Sequence, residues 1–230
     1  MNFFLSNLIG YEHLLSGILI SQFYNFRVNF FSERVTALQI IRYPHPTLRH
    51  KSKSIKRVDQ ELIDIVSEMF ELMYEANGIG LAANQVDLPL RLFVINTTGD
   101  PNQKSEERVF INPVLDSPKG TGEAEEGCLS LPGVYGIVAR PSQIHVSAYN
   151  LQGQEIDMVV DGLLSRAIQH EFDHIDGVMF IDRVSDSTKR QLEGEIDSFA
   201  LELDGLRATG QVGSDEEIAN RLAEIEAKYC

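Results

Sequence analysis

Cysteine is scarce in this chain of 230 residues, where only Cys128 and Cys230 occur. Two thiols exclude a disulfide-dense secreted scaffold; they allow one bridge at most, and reduced, cytosol-like surroundings suit them better. Basic residues are also few, 20 Lys and Arg against 34 Asp and Glu, for a formal net charge of −14. Such a surface repels phosphate backbones, so nonspecific nucleic-acid binding is not expected. No apolar run reaches the roughly 20 residues needed to span a bilayer, and no membrane association is expected of the main domain. Internal repeats and low-complexity segments are missing too. What remains, a 43% hydrophobic chain of this length, suffices for one sizeable domain with extensions.

Residues 1–34 read unlike the rest: aromatic, apolar and nearly uncharged, centred on Leu14-Leu15-Ser16-Gly17-Ile18-Leu19-Ile20. No Lys or Arg precedes Arg27 and no A-x-A-like site follows, which argues against a secretory signal; Arg and Ser are too few for a transit peptide. Three readings stay open: a segment outside the mature protein, a short membrane-associating leader, or an extra packed helix. Val35-Thr36-Ala37-Leu38-Gln39 has the character of a natural beginning, which favours the first and suggests a non-ATG start codon at Val35.

From Asp59 to Ala76, apolar Leu62, Ile65, Val66, Met69, Phe70, Leu72 and Met73 recur at helical spacing, with Asp59 as cap and Asn77-Gly78 as stop. Gly78 to Gln85 reads as a small-residue loop able to approach a ligand. Strands are expected over 91–96, 108–115, 143–150 and 155–160, the last two joined by a turn at Leu151-Gln152-Gly153-Gln154. A largely apolar helix follows over 162–175, ended by Asp176-Gly177. Beyond Asp182 the chain is charged and helical, with one helix over 189–206 and another capped by Ser214-Asp215-Glu216-Glu217. Strands first and a central helix afterwards indicate an α+β domain rather than alternating βαβ units.

The chemistry concentrates in His170-Glu171-Phe172-Asp173-His174. Side chains four apart share one helix face, so two imidazoles at that spacing can grip one divalent cation, with Glu171 beside the first to handle the proton of its water. Cys128, in Gly127-Cys128-Leu129-Ser130, is either a third ligand or a buried small hydrophobe. Two His and one Cys would leave a fourth position open, as catalytic sites do. Gln85 is either an oxyanion donor or a surface amide.

Gly78-Ile79-Gly80-Leu81-Ala82-Ala83-Asn84-Gln85, Glu126-Gly127-Cys128-Leu129-Ser130 and Gln169-His170-Glu171-Phe172-Asp173-His174 together resemble the three signature motifs of the peptide deformylase family, over about residues 38–182. The resemblance implies antiparallel sheets around a central helix carrying the HExxH motif, and a C-terminal helix. It divides the chain into an extension (1–34), a catalytic domain (35–183) and an acidic helical extension (184–230). It implies that Cys128, His170 and His174 bind Fe(II), with Zn, Ni or Co as substitutes. It makes Glu171 the proton carrier, and Gln85 with the N–H of Leu129 the oxyanion donors. Ile79, Gly80 and Gly127 would hold the substrate backbone, and Ile79, Glu126, Leu163 and His170 would wall the methionine pocket. The substrate class is N-formylmethionyl nascent polypeptides, and the expected compartment is the cytoplasm.

Asp173 is a candidate for orienting the metal site or else a helix-surface charge, and Arg140 either pairs with Glu126 or another carboxylate near the site or is an ordinary surface arginine. Asn77 departs from the acidic residue common in the family. Some members carry a basic C-terminal helix that contacts the ribosome; here Asp186–Asp204 holds six acidic against two basic residues, which argues against docking through it. The competing enzyme reading is a zinc peptidase, with Glu193 or Glu195 as the third ligand instead of Cys128. A noncatalytic binding protein is the other alternative, disfavoured because both Glu171 and Gln85 are present.

Overall fold

The computed structural model describes residues 38–230, so the readings of the first 34 residues and of a start at Val35 lie outside the described residues. Asp59 caps helix α1 (Gln60–Glu75) by accepting from the N–H of Leu62. The helix ends as the sequence indicates. The N–H groups of Asn77 and Gly78 bond back to the carbonyls of Tyr74 and Met73, and Asn77 sits at φ 56°. That is a Schellman ending, and an asparagine tolerates its left-handed position, which accounts for Asn77 locally.

Seven strands follow: β1 (Gly80–Ala82), β2 (Leu92–Ile95), β3 (Arg108–Lys119), β4 (Gly122–Cys128), β5 (Leu131–Arg140), β6 (Gln143–Tyr149) and β7 (Glu155–Asp161). All their pairings are antiparallel. Five form a sheet in the order β1-β2-β3-β6-β7, and β4 pairs with β5 in a separate hairpin. The strand expected over 108–115 runs four residues further, and its pairing with β6 slips twice, near the left-handed residues Asn112 (φ 51°) and Ser117 (φ 49°). The Asn112 amide takes both backbone groups of Ile55 at 2.8 Å. Two regions differ from the sequence reading: the small-residue loop contains β1 and the short 3-10 turn Ala83–Val86, and residues 122–140, where no element is expected, form the β4–β5 hairpin.

Helix α2 (Gly162–Ile175) has the expected bounds. Side chains alternate along β2, and this decides the packing. Leu92 and Val94 face α1, in a cluster with Leu62, Met69 and Met73, whereas Phe93 and Ile95 face α2, with Ala167, Ile168 and Ile175. Fully burying one such aliphatic side chain contributes roughly 1.5–3 kcal/mol, so α2 is pinned across the sheet by its apolar stripe. Its other face, with His170, Glu171 and His174, is left to meet the hairpin. Gly177, at φ +76°, ends this passage where an added Cβ would strike the Arg49 backbone, so only glycine fits.

Helix α3 (Asp186–Ala208) packs on the hairpin through Leu192, Ile196 and Phe199. Helix α4 (Asp215–Tyr229) opens with the expected capping box between Ser214 and Glu217. It returns to the α1 cluster, where Ile225 and Tyr229 pack, with Ile218 and Leu222 also buried. No helix among the described residues is long and apolar enough to cross a membrane.

Candidate metal centre

Helical spacing brings His170 and His174 together, as their sequence positions require: their Nε2 atoms are 3.2 Å apart. Cys128 arrives from the end of β4. The hairpin register slips between Gly127 and Cys128, and such an irregularity re-aims a side chain. Cys128 Sγ lies 3.3 Å from His174 Nε2, and the three donor atoms all fall within 4.8 Å of one another. Both cysteines are free thiols, so the single bridge the composition allowed is not formed.

The donor set fits a tetrahedral cation. Nitrogens bound at about 2.0–2.1 Å to one ion stand about 3.3 Å apart, close to the observed separation. The electrostatics favour positive charge at the same point. Burial works against a proton on His170, but Cys128, Glu126 and Glu171 outweigh it and push the imidazole up to about 10. Burial and the neighbouring His170 hold His174 well below the ordinary histidine value, hence neutral and able to donate a lone pair.

Around this point the structure gathers most of the anticipated residues. Gln85 is 1% exposed; its Oε1 accepts from the Ala82 N–H at 2.9 Å, and its Nε2 points at Cys128 Sγ and Ser130 Oγ, each at 3.4 Å. The surface-amide alternative is thereby removed. Glu171 is buried with Oε2 unpartnered. Burial raises its carboxyl to about 7, helped by the charges of Glu126 and Asp173 and opposed by His170 and Arg140. Ile79, Gly80, Glu126, Gly127, Leu129, Leu163 and His170 all line one cleft of about 810 Å³. Leu163 stands at its rim, more than half exposed.

Behind these three donors lies a buried ionic network only partly anticipated. Glu126 accepts from His170 Nδ1 at 3.0 Å and from Arg140 at 2.7 and 2.8 Å. Burial alone would raise the Glu126 carboxyl; Arg140 and His170 more than reverse this and hold it far below the usual range. Arg140 is 3% exposed, so the ordinary-surface alternative fails. Asp173 touches neither histidine side chain. It bonds Arg140 and Arg183, and so reaches the site through Arg140 and Glu126. The sequence reading missed Arg166, which reaches Glu126 at 2.6 Å and the Gly122 carbonyl at 2.7 Å. Its signal was its place four residues before His170, on the same helix face. Glu193 and Glu195, which a peptidase site would recruit, are exposed on α3; among the described residues only Cys128, His170 and His174 have converging donors.

Known proteins resemble this chain in sequence and in fold. The sequence model for polypeptide deformylase matches residues 37–190. A peptide deformylase of Rhodopirellula baltica is 48% identical over 192 residues, 84% of this chain and 95% of that one. One from Neisseria gonorrhoeae is 45% identical over 148 residues, 64% of this chain and 87% of its own. The crystal structure of the Plasmodium falciparum enzyme superposes with a TM-score of 0.72 at 35% identity, covering 74% of this chain and 99% of that one. A plant peptide deformylase gives 0.71 at 37% identity, covering 80% and 98%. With the family's sequence matched over two-thirds of its length and its fold reproduced, the chain belongs to the polypeptide deformylase family.

Proposed function

We infer that Cys128, His170 and His174 hold the catalytic ion of this deformylase, that Glu171 carries the proton, and that Gln85 with the Leu129 N–H receives the developing oxyanion. The reaction itself, removal of the N-terminal formyl group from newly made proteins by a metal-dependent hydrolase, is that of the family. The observation that carries the residue assignment is convergence: α2, the end of β4 and the 83–86 turn bring two imidazoles, a thiol, a carboxylate and an amide to one cleft.

A divalent ion held by these donors supplies Lewis acidity and a water of lowered pKa. Glu171 takes the proton of the attacking water and returns it to the departing amine, and formate leaves. Its buried, unpartnered oxygen and raised pKa suit both halves of that exchange. The Gln85 amide is fixed by its own acceptor bond, so donating to an oxyanion needs no reorganisation. Strands β1 and β4 each carry a free edge, one in the five-stranded sheet and one in the hairpin. The substrate backbone therefore binds as an added strand along Ile79, Gly80 and Gly127, with the methionine side chain against Ile79, Glu126, Leu163 and His170.

We take the ion to be Fe(II), with Zn, Ni or Co as substitutes, and the working compartment to be the cytoplasm. Residues 35–183 form the catalytic domain and residues 184–230 the acidic extension, in which the six acidic against two basic residues of Asp186–Asp204 argue against ribosome contact through α3. Release of formate from formyl-Met-Ala-Ser by protein purified without oxygen, with its metal content measured, tests the reading. Metal-loaded protein that releases no formate overturns it. A C128A variant that keeps its ion and cleaves internal peptide bonds would hand the site to a peptidase.

A further inference from the structure

The turn that carries Gln85 is held from outside the family's matched region. That region ends at residue 190, yet α4, at residues 215–229, returns to the back of the site. Asp87 closes the 83–86 turn in the left-handed conformation (φ 66°), and its N–H bonds to Asn84 O at 3.2 Å. Aspartate tolerates this region better than most non-glycine residues, and its place there depends on the surroundings that fix it. Arg221 of α4 supplies such fixing twice, donating Nη2 to the Asp87 carboxylate and Nη1 to the Asp87 carbonyl at 3.2 Å. Thr47 Oγ1 donates to the other carboxylate oxygen at 2.5 Å.

A second grip lies one turn further along α4. Glu226 is buried and bonds His50 Nε2 at 2.7 Å and Lys53 Nζ at 2.6 Å. The segment so held binds the same turn from the other side. Asn84, fully buried, donates to the His50 carbonyl at 2.7 Å and the Thr47 carbonyl at 3.2 Å, and accepts from Ser52 Oγ at 2.6 Å. Gln85 lies between Asn84 and Asp87, with both neighbours tied, directly or through residues 47–52, to the last helix.

We propose that Arg221 is a positioning residue for the reaction: through Asp87 it fixes the turn that aims the Gln85 amide, so α4 serves catalysis as well as packing. This rests on Gln85 acting as oxyanion donor. Arg221 itself is partly exposed and does not line the cleft. Small displacements of a positioned group are costly to rate.

The test uses the full-length, metal-loaded protein and formate release from formyl-Met-Ala-Ser, for R221A, R221K, Q85A and the R221A/Q85A double variant. R221A is expected to lower kcat about tenfold, with KM within twofold and metal content unchanged. R221K should recover part of the loss. In the Q85A background R221A should have no further effect, because the group it positions is gone. If Q85A is slow but R221A keeps wild-type kcat, or multiplies the Q85A defect, the positioning role is overturned while the Gln85 assignment stands. If Q85A itself turns over at the wild-type rate, that assignment falls and the inference with it.

Discussion

A methyl group added at Gly80 should affect catalysis far more than stability. The Gly80 backbone has no positive φ, so alanine is allowed there by conformation. The obstacle is Glu171: a Cβ on residue 80 would stand 2.9 Å from its Cδ and 3.0 Å from its Cγ. Ordinary contact begins near 3.4 Å, so the Glu171 carboxylate must move by about 0.5–1 Å. Its Oε2 makes no bond to protein, so the carboxylate yields at little cost. Overpacking of this kind costs about 1 kcal/mol, at the low end of its range, or about 2–4 °C in Tm for a chain of this size. Its effect on rate is larger, since a misplacement of this order costs up to about 100-fold. G80A is therefore expected to bind its metal normally, melt within a few degrees of wild type, and lose about 30- to 100-fold in kcat for formate release. G194A, on α3 where an added Cβ meets nothing, is the control and should keep full activity. A G80A enzyme within threefold of wild-type kcat would refute the role given to Glu171's position.

Two further outcomes follow from the site's charges, both read by denaturation with chelator present so that metal binding does not contribute. Glu171 has a folded pKa raised to about 7 by burial, so its favourable contribution is complete below the unfolded value near 4.5 and is lost as pH rises through 7. E171Q should therefore be more stable than wild type by roughly 2–4 kcal/mol at pH 8 and no more stable at pH 4; equal stability at both would exclude the raised carboxyl. Glu126 is the opposite case, held far below its ordinary value by Arg140 and His170 against burial. Its contribution is present above the unfolded pKa and is lost as pH falls below it, so E126Q should be about 3–5 kcal/mol less stable at pH 7, with the gap narrowing in acid. A gap that widens in acid would reverse the assignment.

Several features were legible because their geometry is local. The 162–175 helix, its paired histidines, the Asp59 cap, the Ser214 capping box and the Asn77-Gly78 ending all depend on residues within five positions of one another. The hairpin was harder. Leu131, Val134, Gly136, Val138 and Arg140 face inward, a near-alternating pattern broken by Pro132 and Gly133, while Gly122–Cys128 is rich in glutamate and glycine and looks like a loop. Glu126 is matched there to Arg140 and Arg166, partners that no window of β4 contains.

What this sequence determined by itself was the set of candidate reacting groups, because three short motifs name donor atoms whatever surrounds them. Tertiary structure decided their states. Cys128 reaches His174 across 46 residues only because the hairpin folds over α2 and its register slips at the right place. Arg140 is buried rather than exposed because Glu126 and Asp173 enclose it. The last helix, acidic by composition, grips the turn beside Gln85 through Arg221. Burial, charge pairing and approach at long sequence separation depend on where the chain returns, and that is set by packing the whole core at once.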